Sequence, residues 1–201
     1  MADDTRNYHP DPSIRTNPSP AFSITRVRTA TDLAATITLF HAYAASLGFD
    51  LSFQNFSAEM AEMPGKYSSA SGGDLLLARD SATGEAIGCV ALRGLPIDMS
   101  DSPQAWASPI PWLCSEMKRL YVTPSGRGTG VGKALAVRIL EIADLLGYSE
   151  VRLDTLPSMV AARGMYRALG FVETEPYYDT PLEGTHFLSY RTPRGRISEV
   201  S

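Results

Sequence analysis

Few residues here could hold a metal or build a disulfide framework. The chain has two cysteines, Cys89 and Cys114, and three histidines, His9, His41 and His186. None of them stands at metal-ligand spacing. Both cysteines sit in apolar, strand-like stretches, which reads as buried thiols in a reducing compartment, and nothing in the sequence argues for a disulfide. Strong charge of either sign is missing too. The net charge is −4, so no basic face for nucleic acid is expected. No apolar run approaches the ~20 residues needed to cross a bilayer. The N-terminal stretch lacks the apolar core of a secretory signal. A cytoplasmic protein that binds neither membrane nor nucleic acid is the expectation. The oligomeric state, a homodimer included, stays open.

What is present is apolar content, 44% over 201 residues. That suffices for one domain with a sizeable core. Residues 1–20, with Pro10, Pro12, Pro18 and Pro20 among polar neighbours, read as a tail, the domain as 21–191, and 192–201 as a second loose end. Phe22–Arg28 reads as a strand. Thr29 and Asp32 suit the start of a helix with a stripe of Leu33, Ile37, Phe40, Ala44 and Leu47. His41 at the stripe's edge reads as structural. Ser57 is the expected N-cap of a short helix that Pro64 stops. Asp74–Arg79 and Ala86–Leu95 form a hairpin pattern. The connection from Leu95 to Leu113, with four prolines, Trp106 and Trp112, is long enough to suggest a lid or an edge cover. Glu150–Thr155 reads as a strand. A helix starting at Pro157-Ser158 follows, with Met159, Ala162, Tyr166 and Leu169 on one face. Phe171 leads into a further strand, and His186–Tyr190 into a last one that closes the sheet.

The stretch from Glu116 to Lys133 organises the rest. It reads as a strand, a glycine-dense turn, and a helix from about Val131 to Leu146 whose apolar positions are Val131, Leu135, Ile139, Ile142 and Leu146. The first N–H groups of such a helix have no partner within it and favour an anion. Gly128, Gly130 and Gly132 lack a Cβ and allow close approach. Arg127 and Lys133 add positive charge. A phosphate or diphosphate is the expected guest. A Walker loop would need a glycine at Arg127 and a hydroxyl at Ala134. The dinucleotide fingerprint fails at Val131 or at Lys133, depending on its start. What remains is Arg-x-x-Gly-x-Gly, at Arg127, Gly130 and Gly132.

The strand carries a second signal. Met117 has one parity, Leu120 and Val122 the other. An extra residue between them, a β-bulge, would bring all three to one face.

Arg-Gly-x-Gly-x-Gly after a strand ending Leu-Tyr-Val-x-Pro resembles the acyl-CoA-binding motif of the GNAT N-acetyltransferases. The resemblance continues through Asp154-Thr155 and the segment Ala-Arg-Gly-Met-Tyr-Arg-Ala-Leu-Gly-Phe at 162–171. It implies an α/β fold with a mixed, mostly antiparallel central sheet, splayed at the acyl-CoA site and flanked by helices on both faces. It implies acetyl-CoA as acyl donor and an amine as acceptor. The N–H groups around Arg127, Gly128, Thr129, Gly130, Val131, Gly132 and Lys133 would hold the diphosphate. The main chain of Leu120, Tyr121 and Val122 would bond the pantetheine arm. Tyr166 would reach the sulfur as the acid. Ser158 stands near a point where the family often has Asn against the CoA arm. Phe53, Gln54, Phe56, Lys66 and Tyr67 would border the acceptor channel.

For the base, Glu116 is the first candidate, because the head of the bulged strand lies near where an acceptor would stand. Asp154, at the C-terminal end of the next strand, is the second. The expected activity is N-acetylation of a primary amine on a small or amino-acid-like molecule. A protein amine as acceptor and a non-catalytic acyl-CoA-binding module are the open alternatives.

Overall fold

A computed structural model of the chain describes residues 20–48, 55–95 and 114–193. The expectations for residues 1–19 and 194–201, for Phe53 and Gln54, and for 96–113 lie outside them. Thr192, expected to open the C-terminal loose end, is buried, its N–H donating to the Ser149 carbonyl at 3.0 Å and its hydroxyl to the Tyr148 carbonyl at 2.8 Å. Among the described residues, seven strands form one sheet in the order β1-β2-β3-β4-β5-β7-β6. They are β1 (Phe22–Arg26), β2 (Asp74–Asp80), β3 (Ala86–Gly94), β4 (Cys114–Val122), β5 (Glu150–Thr155), β6 (Val172–Glu173) and β7 (His186–Arg191). All neighbours are antiparallel except β4 and β5.

Strands β2 and β3 carry unbroken uncharged, mostly apolar runs, Leu75–Ala78 and Ala86–Leu92, because both of their faces are covered there. Leu75, Leu77, Cys89 and Ala91 point into one core with Leu39, Phe40 and Tyr67. Leu76, Ala78, Val90 and Leu92 point into the other, with Leu135, Ile139 and Ile142. Helices α1 (Ala30–Ser46) and α2 (Phe56–Ala61) cover the first face, and α3 (Val131–Leu145) and α4 (Val160–Ala168) the second.

The Thr29 side chain accepts from the Asp32 N–H at 3.1 Å and starts α1 as expected. Of the expected stripe, Phe40 is buried and Leu33, Ile37, Ala44 and Leu47 are half-buried, and Thr36 and Leu39 join Phe40 in the buried line of α1. Thr36 can be buried there because its hydroxyl donates to the Asp32 carbonyl at 2.8 Å. Asn55, at φ 56, is the N-cap of α2, and Ser57 lies inside the helix. α4 begins at Val160, not at Pro157-Ser158.

Candidate active site

β4 and β5 pair only from Cys114↔Glu150 to Glu116↔Arg152. Beyond Glu116 the strands part, and β4 keeps β3 as its neighbour on the other side. The gap is a cleft of about 590 Å³. One wall is β4 from Met117 to Val122. The other is Asp154 and Thr155, at the end of β5, with Met159, Ala162, Met165 and Tyr166 around α4. The turn of Gly126, Arg127, Gly128 and Gly130 and the first residues of α3 close one end, and Tyr43 and Ser46 of α1 also contribute.

The β4 wall is irregular. Cys89 pairs with Tyr121, but Ala91 pairs with Lys118, so Arg119 and Leu120 together face Val90. This is a bulge at the place where the apolar parity changes. It brings Met117, Leu120 and Val122 to one core. Its backbone mark is Arg119 at φ 57, a left-handed conformation that side chains other than glycine adopt at a cost.

At the turn, Gly130 is the N-cap of α3 at φ 87 and offers no side chain to the helix's first N–H groups. Those groups therefore face the cleft without a capping oxygen. Gly128 stands at φ 78. A Cβ on Gly132 would lie 3.3 Å from Val122 Cγ2, so the helix start and the end of β4 approach closely enough that a larger residue would push the Val122 side chain aside by a few tenths of an ångström. Thr123 and Thr129 brace the turn. Thr123 Oγ1 accepts from the Gly126 N–H at 3.3 Å, and Thr129 Oγ1 donates to the Gly126 carbonyl at 2.7 Å. A chain of anionic groups fits this end and an extended arm fits the β4 edge. Of the residues expected to touch the donor, Leu120, Tyr121, Val122, Arg127, Gly128, Gly130, Val131 and Gly132 line the cleft. Thr129, Lys133 and Ser158 lie outside its lining. Lys133 borders a separate hollow with Ile24, Val137 and Glu141.

Tyr166 projects from α4 into the cleft wall and packs against Phe171 at 5.5 Å between ring centroids. Burial pushes its hydroxyl above the usual phenol range, with the nearby Tyr43 and Asp154 acting in the same direction. Tyr43, across the cleft, is pushed up to about 12, chiefly by burial.

The two acidic candidates are placed differently. Asp154 lines the cleft, with Lys118 Nζ at 3.8 Å. Glu116 does not line it and has 0% exposure. Arg93 Nε donates to its Oε2 at 2.6 Å, Tyr177 Oη to its Oε1 at 2.9 Å, and Lys118 lies at 3.5 Å. Burial alone would raise the Glu116 pKa, but Lys118 and Arg93 outweigh it and the carboxyl is held below its ordinary value. A carboxylate so occupied has little capacity left to take a proton from a substrate.

A second buried network lies behind the bulge. Arg119 donates from Nε to Glu59 Oε1 at 3.0 Å and from Nη2 to Oε2 at 3.1 Å. Lys66 Nζ and Tyr67 Oη also donate to Glu59, both at 2.9 Å. The guanidinium carbon lies 5.2 Å from the centroid of Phe56 and 6.0 Å from that of Tyr43. Lys66, Tyr67 and Phe56, expected at an acceptor channel, thus serve this network. His41 stacks edge-on against Phe56 at 5.5 Å. Sequence reasoning passed over Glu59 and Arg119. A buried acid sixty positions from its base leaves no local pattern.

Burial would raise the Glu59 pKa, but Arg119 and Lys66 hold it down to about 2, against an ordinary 4.5. A depressed acid stabilises the fold fully above its unfolded pKa and loses that contribution as pH falls. Stability is therefore expected to drop by roughly 3 kcal/mol between pH 4.5 and pH 2 from this group. Urea midpoints across that window measure it, and Glu59→Gln should start lower at pH 7 and show a shallower acid slope.

Among the described residues no group of His, Cys, Asp and Glu could hold a metal ion, and no helix is long and apolar enough to cross a membrane. The model of the Acetyltransferase (GNAT) family matches residues 39–171. An uncharacterized N-acetyltransferase of Schizosaccharomyces pombe is 37% identical over 166 residues, covering 83% of this chain and 92% of that protein. Among solved structures, a GNAT-family acetyltransferase from Staphylococcus aureus superposes with a TM-score of 0.64 at 18% identity, over 86% of this chain and 99% of that one. The structure of yncA from Salmonella typhimurium, solved with its cofactor acetyl-CoA, superposes with a TM-score of 0.56 at 14% identity, over 86% and 94%. The parted strands, the bulge and the uncapped glycine turn thus occur in a chain that belongs to the GNAT acetyltransferase family.

Proposed function

We propose that this protein transfers the acetyl group of acetyl-CoA to the primary amine of a small or amino-acid-like acceptor. One observation carries the reading. The cleft joins an uncapped helix start, a strand edge without a neighbour, and a buried tyrosine hydroxyl in one continuous space.

In this reading the N–H groups at the start of α3 hold the diphosphate, with Arg127 at the rim. The main chain of Leu120–Val122 aligns the pantetheine arm and the thioester. Lys133 contributes only its N–H, the third at the start of α3, and Thr129 and Ser158 stand outside the cleft lining. The amine nitrogen forms a bond to the acyl carbon while the C–S bond breaks. Asp154 takes the proton the amine must lose, directly or through a water. Tyr166 gives its proton to the departing sulfur. Glu116, saturated by its partners, holds Lys118 and Tyr177 in place and is not the base.

The test is calorimetry with coenzyme A, followed by thiol release from acetyl-CoA over a panel of amines. Affinity for coenzyme A and release that depends on one amine class are expected, and correctly folded protein without that affinity would overturn the reading. Asp154→Asn should lower kcat/KM for the amine by about 10²-fold near neutral pH with coenzyme A affinity unchanged. A change below twofold would exclude Asp154 as the base.

A further inference from the structure

Arg119 joins a costly backbone and a costly side chain in one residue. At φ 57 it is the left-handed residue of the β4 bulge. A residue with a Cβ holds such a conformation only where its surroundings over-determine it. The side chain supplies that constraint. The residue is 5% exposed, and its guanidinium is fixed to both oxygens of Glu59. Glu59 is fixed in turn by Lys66 and Tyr67. Phe56 and Tyr43 flank the guanidinium. On the strand side, the Arg119 carbonyl accepts from Cys89 Sγ at 3.6 Å.

The next residues, Leu120 to Val122, continue the strand edge that faces the cleft. If Arg119 turned to an ordinary extended conformation, the bulge would be lost. The parity of Leu120 and Val122 would then invert relative to Met117, and the main-chain groups on the cleft side would change with it.

We infer that the Glu59–Arg119 pair is a positioning device: α2 grips the bulge through this pair and so sets the edge of β4 in the orientation that receives the thioester arm. The inference rests on the acyl-CoA reading above. Arg119 is here a positioning residue, acting through the main chain of its neighbours and not through contact with substrate.

Two substitutions separate the backbone from the side chain. Arg119→Ala and Arg119→Gly both remove the ion pair. Only glycine accepts a positive φ freely. When the competent conformer is only partly populated, apparent affinity falls by that fraction. Coenzyme A affinity of folded Arg119→Ala is therefore expected to weaken about tenfold, and Arg119→Gly to recover most of that loss. The KM for acetyl-CoA should follow the same order, while kcat at saturating acetyl-CoA changes by less than about threefold. Glu59→Gln keeps the shape of the network but loses its charge, and it should weaken coenzyme A binding about threefold. It supplies the answer should both Arg119 variants fail to fold.

Equal affinities for the Ala and Gly variants would overturn the inference, whether both are weakened or both resemble wild type. In the fallback, an unchanged Glu59→Gln affinity would overturn it. Wild-type protein without coenzyme A affinity would overturn both this inference and the reading beneath it, so the two failures are told apart by the wild-type titration.

Discussion

Tyr166→Phe is expected to lower kcat by about 10²–10⁴-fold while leaving coenzyme A affinity within about twofold of wild type. The departing thiolate needs a proton or a hydrogen bond, and Tyr166 is the phenol in the wall formed by α4. Removing one oxygen leaves the contact with Phe171 intact. The glycine turn proposed to hold the diphosphate is built from other residues, so binding and turnover should separate. Burial, helped by Tyr43 and Asp154, raises the pKa of the hydroxyl. The proton is therefore present through the whole neutral range and beyond the ordinary phenol value of about 10. The wild-type rate should show no loss of this acid below about pH 10. Single-turnover kinetics with a saturating amine measure the effect on chemistry, and an unchanged rate there would remove Tyr166 from the mechanism.

Glu116→Leu is expected to destabilise the fold by about 3–5 kcal/mol. The substitution would leave Arg93, Lys118 and the Tyr177 hydroxyl without their shared carboxylate. Uncompensated buried charge is the expensive case, far more so than loss of an exposed pair. For a domain of this size the melting temperature should fall by roughly 6–20 °C. Glu116→Gln, which keeps the shape, should fall less. The sign with pH follows from the lowered pKa: the contribution is complete above the ordinary carboxylate range and fades as acid brings the pH through the depressed value. A Glu116→Gln enzyme that melted like wild type but turned over 10²-fold more slowly would restore Glu116 as the base.

Features that depend on near neighbours in the chain were legible. The parity change between Met117 and Leu120 announced a bulge, and the register shift opposite Val90 is that bulge. Helical spacing placed α3 to within a residue of its observed end at Leu145, and Gly147 follows it at φ 91. The glycine turn was readable because an uncapped helix start needs residues without side chains at fixed offsets. Features that depend on distant partners were not legible. Glu116 looked like a free strand-end acid because Arg93 and Tyr177, which bury it, come from elsewhere in the chain. Lys66 and Tyr67 looked like candidates for substrate contact because the Arg119 that fixes their partner Glu59 lies sixty positions away from it. Pro157-Ser158 read as the start of a helix, yet the turn at 156–159 delays it to Val160.

The spatial order of the strands differs from their order along the chain. β7, the last strand, sits inside the sheet and pairs with β5 over six positions, from Glu150↔Arg191 to Thr155↔His186. β5 has only three pairs to its other neighbour, β4. Strands β1 to β4 can zip together as successive antiparallel neighbours. The segment bearing Asp154 gains most of its backbone partners only once the C-terminal residues have arrived. On a ribosome, that side of the pocket would be finished last, so a nascent chain would complete the glycine turn and the start of α3 before it could bring Asp154 into register opposite β4.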